Sequence, residues 1–179
     1  MDFNLSRFRH GKEKFYGTLT LAIGALIWLI ILLIPVVELI RGRPQAALVF
    51  LLYVGLFWLF SFVVRALTRA YMFGHFVMVG PNQFPHLHQM VVAGTQRVGL
   101  RDVPTTFVYN SNGVMNAMAL RLVGRHRYVW LTSALIDCDD DDQVRFVVGH
   151  ELGHHVAGHL DEPWSYLRLP ALFVPFLGP

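Results

Sequence analysis

At 179 residues the chain has the length of one ordinary domain, yet 54% of its residues are hydrophobic and only 15% charged. With a mean hydropathy of +0.45, this excludes a typical soluble protein and indicates a membrane protein. The net charge of +3 comes from arginines beside apolar runs, which argues against nucleic acid as a partner, and the single Cys138 excludes an internal disulfide framework and fits a reducing compartment.

Residues 1–15 are polar and basic. Gly17 to Val37 then runs 21 residues without a charge, about 31 Å as a helix, enough to cross a hydrocarbon core. A signal peptide would be shorter and followed by a small-residue cleavage site. Instead a second run of 19 residues, Ala46 to Val64, begins after the polar link Arg41 to Gln45. We expect a transmembrane hairpin over 16–70, with spans at about 17–40 and 46–64, in contact with the lipid bilayer. Arg7, Arg9, Lys12 and Lys14 precede the first span and Arg65 and Arg69 follow the second, against Arg41 and Arg43 in the link. This bias puts both ends in the cytoplasm, and with them the domain that follows, in a multi-pass cell-membrane protein.

From residue 71 to 179 the pattern is that of a folded domain. Phe76 to Val79 reads as a short strand and Gly80-Pro81-Asn82 as a turn. After Phe84, Pro85 suits a first helical position, and Leu87, Met90, Val91, Gly94 and Val98 mark one side of a helix. His86 and His88 at its start read as surface residues. Thr105 to Tyr109 is a strand ended by the turn-forming Asn110-Ser111-Asn112-Gly113, and Tyr128 to Leu131 is another. Thr132 to Ile136 reads as a short helix, and Asp139 to Asp142 as the acidic, N-capping start of a longer one. The expected fold class is α+β, with a small sheet packed on helices.

The longer helix carries His150-Glu151-Leu152-Gly153-His154, an H-E-x-x-H motif. At about 100° per residue His150 and His154 project about 40° apart, with Glu151 on the same side. One turn can thus offer two imidazole nitrogens to an ion beside a carboxylate, the arrangement a zinc hydrolase uses. Val144, Val148, Leu152 and Val156 form a stripe for burial. Gly149, Gly153 and Ala157 form a file small enough to admit another backbone. Cys138 is a poor nucleophile beside its aspartates.

The segments Phe84-Pro85-His86-Leu87, Asn116-Ala117-Met118-Ala119, Leu131-Thr132-Ser133-Ala134-Leu135 and His150 to His154 ending in Gly158-His159 follow in order over about residues 75–160. In this the chain resembles the HtpX-like membrane zinc metallopeptidases, the family that also contains the CAAX prenyl proteases. The resemblance implies a zincin-like domain over 71–179 and an integral-membrane endopeptidase acting on polypeptide substrates. It implies one Zn2+ per chain on His150 and His154, and Glu151 as the catalytic general base. It also implies a substrate cleft bordered by Asn116, Ala117 and Met118, where extended peptide pairs with a sheet edge. Membrane-protein quality control is the implied role, and prenylated-peptide processing an alternative.

Catalytic zinc takes three protein ligands, and the family draws its third from a Glu on a later helix. After His159 the carboxylates are Asp161 and Glu162, and Leu167 to Leu177 is apolar, as at the start of another membrane-associated segment, though Pro170 and Pro175 interrupt it. The third ligand is therefore expected beyond residue 179. A metzincin pattern would need Gly at 157 and His at 160, where the chain has Ala157 and Leu160. In a continuing helix His155 and His159 point about 140° and 180° from His150, which suits supporting roles rather than ligation. Two other readings stay open: a membrane-anchored pseudopeptidase binding partners through its sheet edge, and a non-proteolytic or structural zinc site.

Overall fold

A computed structural model describes residues 11–122, 124, 126–158, 160 and 164–173. These fall into two compact units, 65–160 and 11–64 with 164–173.

In the second unit, the apolar runs form α1 (Gly11–Ile40) and the larger part of α2 (Pro44–His75). Both helices are long and apolar enough to cross a membrane, and only 11% and 6% of their most apolar windows are buried. A core helix of a soluble protein would be covered. The turn between them passes through Gly42 in the left-handed region, where a residue without a Cβ bears no steric penalty. The described part of the run Leu167 to Leu177 completes α6 (Trp164–Arg168) and continues as a 3-10 turn, Leu169–Phe173. Both pack on α1: the Trp28 indole N–H donates to the Tyr166 carbonyl at 2.9 Å. Gly24 faces the Leu167 carbonyl so closely that a Cβ would lie 2.0 Å from it.

In the first unit, α2 continues eleven residues past the expected span end at Val64, because Met72 finds full burial against the sheet. The strands are β1 (Val77–Met78), β2 (Thr105–Tyr109), β3 (Ala117–Leu120) and β4 (Tyr128–Thr132), in the spatial order β1-β2-β4-β3. β2 and β4 are parallel, while β1 and β3 pair antiparallel at the two edges. The helices are α3 (Pro85–Arg97), α4 (Ser133–Cys138) and α5 (Asp141–Ala157). The alternation of a strand assigns side chains to two faces. Val108, Val129 and Leu131 meet Leu87, Met90, Val91, Leu135, Val144, Val148 and Leu152 from the three helices. Phe107, Tyr128 and Trp130 turn the other way, to Met72 and Phe76.

The expected strands and helices stand within a residue or two of their sequence positions, and Gly80 and Gln83 close the predicted turn with two backbone hydrogen bonds. The small-residue file fares otherwise. Among the described residues, a Cβ on Gly149 or Gly153 would meet nothing within 4 Å, so none of their backbone approaches there. The close approach is at Gly94 of α3, where a Cβ would lie 2.8 Å from Leu152 Cδ1.

Candidate metal centre

α5 is fixed at both ends by its sequence. Asp140 Oδ1 accepts from the N–H groups of Asp142 and Gln143 at 3.0 and 2.9 Å, and Gln143 Oε1 accepts from Asp140 N–H at 2.9 Å. This capping box accounts for part of the acidic run as a helix start. Gly158, at φ 72, ends the helix after Ala157, where a left-handed residue turns the chain away. The condition of a continuing helix, on which the direction of His159 rests, is therefore not met beyond Ala157. His159 itself lies outside the described residues, as do Asp161, Glu162 and Pro163.

Between these ends the inward stripe is Val144, Val148 and Leu152, with Val156 half-buried. This seats α5 against the sheet and against α3, and it sets the azimuth of everything else on the helix. His150 is exposed and His154 half-buried. Their Nε2 atoms are 3.2 Å apart, with the ring planes at 84°. A carboxylate oxygen of Glu151 joins them in a group whose ligand atoms all lie within 4.8 Å of one another. Two nitrogens each about 2.0–2.1 Å from a tetrahedral zinc stand roughly 3.3 Å apart. The pair thus fits one such ion without rearrangement.

Glu151 is only 7% exposed. A buried carboxylate needs a donor, and its Oε2 has one: the backbone N–H of Ala119, at 2.6 Å. β3 is the edge strand beside α5. Asn116 turns its backbone toward β4, donating to Thr132 Oγ1 at 3.0 Å and accepting from Thr132 N–H at 3.1 Å. By antiparallel alternation Ala117 and Ala119 then turn their backbone groups outward. Ala119 is the residue that the sequence reading missed. The period of two, counted back from the strand's pairing, is the signal that points to it.

The other anticipated cleft residues are distributed by the same alternation. Asn116 is exposed, and Ala117 packs against the core under α5. Met118, 45% exposed, sits opposite Trp130 and so on the sheet face away from α5. His155, one step past His154, is 2% exposed, and its Nε2–H donates to the Tyr128 carbonyl at 3.0 Å. It ties α5 to the start of β4 and takes no place in the His150–His154 group. His86 is exposed and pairs with Asp141 at 2.7 Å, joining the start of α3 to the start of α5.

A model of the sequence family described as peptidase family M48 matches residues 81–177, which is 97 of the 179 residues. No curated protein and no solved structure matches the chain.

Proposed function

The chain belongs to peptidase family M48, and from that premise we propose that it is an integral-membrane zinc endopeptidase, with His150 and His154 as metal ligands and Glu151 as general base. The observation that carries this reading is the 3.2 Å separation of the two Nε2 atoms beside a buried carboxylate on one capped helix. Zinc, when bound, supplies a Lewis acid that polarises the scissile carbonyl and makes a water acidic enough to lose a proton near neutral pH. Glu151 takes that proton and returns it to the leaving amine. The Ala119 N–H holds the carboxylate by one oxygen, which leaves the other for proton transfer. No covalent intermediate is needed.

Among the described residues the outward backbone of Ala117 faces no further strand at this sheet edge, which suits an extended polypeptide. By the family resemblance the role is membrane-protein quality control. The basic flanks support a cytoplasmic peptidase domain and a multi-pass topology.

In the intact protein, Glu151→Gln is expected to lower casein cleavage by roughly 10²–10⁴-fold while leaving one zinc per chain by elemental analysis. Unchanged cleavage would remove Glu151 from its role. Loss of zinc along with cleavage would make it a ligand instead.

A further inference from the structure

α2 leaves the apolar run 46–64 at Arg65 and continues without a break across one face of the sheet. Its contacts climb that face in order. Arg65 Nη1 donates to the Leu122 carbonyl at 3.4 Å, and one turn further on Arg69 Nε donates to the Tyr128 hydroxyl at 3.0 Å. The Trp130 indole N–H then meets Met72 Sδ at 2.8 Å, and the Phe76 ring stacks on Tyr109 with centres 4.9 Å apart. Leu120 pairs with Tyr128 and Met118 with Trp130. β3 therefore runs beside this part of α2 in the opposite sense, toward the end of the apolar run.

Ala119, whose N–H holds the Glu151 carboxylate at 2.6 Å, stands between Met118 and Leu120. It is thus level with residues 69 to 72 of α2, five to eight residues past Val64. At 1.5 Å per residue this is about 8–12 Å beyond the apolar run. Headgroups add roughly 5–8 Å to each side of a hydrocarbon core, so with a span ending at Val64 this turn lies at their outer edge. Leu67 and Tyr71, one turn apart on the open side of α2, are 63% and 56% exposed. Tyrosine is enriched at that depth, where its ring rests on apolar chains and its hydroxyl on water. A polypeptide laid along the outer edge of β3 points one end at the bilayer. Antiparallel pairing, the more stable kind, puts the N-terminal end there, and at about 3.3 Å per residue an extended chain goes from the hydrocarbon to the level of Glu151 in about three or four residues.

We propose that the site takes polypeptide that has just left a transmembrane segment and cuts it at a set distance, about three to six residues beyond the segment's end. This rests on the peptidase reading of the site and on the membrane reading of α2. The intact protein is reconstituted into vesicles with a single-span protein whose C-terminal tail, on the peptidase side, is made of identical repeats of one casein segment, and the cuts are mapped by mass spectrometry. Cuts about five residues from the span should exceed those about twenty residues out by roughly eightfold, since effective concentration falls as about the −3/2 power of tether length. Seven residues of helical sequence inserted after Val64 lift the sheet by about 10 Å and should move the main cut outward by about three residues. Even cuts along the tail, or a main cut that ignores the insertion, overturn the set distance and leave the peptidase reading standing. Free casein cut while the tail stays intact overturns the substrate class. Failure to cut even free casein overturns the peptidase reading and this proposal with it. Where the insertion abolishes folding, the map from the unaltered protein decides.

Discussion

The two sides of α5 share one helix and differ in almost every other respect. The inward side, Val144, Val148, Leu152 and His155, is buried. The outward side carries Phe146 at 77% exposure, the open glycines 149 and 153, and His150. His154 and His155 are adjacent in sequence, yet one turns its Nε2 to another imidazole and the other to a backbone carbonyl in the core. The lesson is that a residue's chemistry on this helix is set by its azimuth, about 100° per step, and that the azimuth is set by the apolar stripe. Burial on one side positions the imidazoles of His150 and His154 on the other.

The comparison can be broken most severely on the outward side. His154→Ala should leave the protein folded, with sub-stoichiometric zinc and no measurable cleavage; stoichiometric zinc in that variant would exclude His154 as a ligand. On the inward side, Leu152→Ala should cost about 2–5 kcal/mol of stability in a denaturant titration, since Leu152 is fully buried and its loss opens a cavity facing Gly94. The adjacent His155→Phe should cost about 1–3 kcal/mol by leaving the Tyr128 carbonyl without its donor. Zinc content per folded molecule should be unchanged, and a loss of metal would collapse the distinction between the two neighbouring histidines. The smallest effect belongs to Gly149→Ala. With nothing among the described residues within 4 Å of the added methyl, helix propensity should raise stability by roughly 0.5–1 kcal/mol, and a fall would show that the outward face is covered.

Much of this was legible without coordinates because it depends on local periodicity. The two apolar runs, the Pro85 helix start, the Thr105–Tyr109 strand and the acidic cap of α5 each follow from residues within one or two turns of one another. The H-E-x-x-H spacing likewise fixes the two imidazoles on one side of a helix, whatever surrounds it. The file of Gly149, Gly153 and Ala157 misled for the same reason. Small residues permit a close approach but do not cause one, and the partner that makes Gly94 close is Leu152, 58 positions later in sequence.

The sequence by itself thus determined the elements, the stripe that buries α5 and the pairing of His150 with His154, since each is a matter of spacing along one segment. Only the tertiary structure decided that Glu151 turns to the N–H of Ala119, that His155 serves the core, and that Arg65 and Arg69 meet the β3–β4 hairpin. Each of these contacts joins residues 27 to 59 positions apart, and their distance in space depends on strand order and register rather than on local pattern.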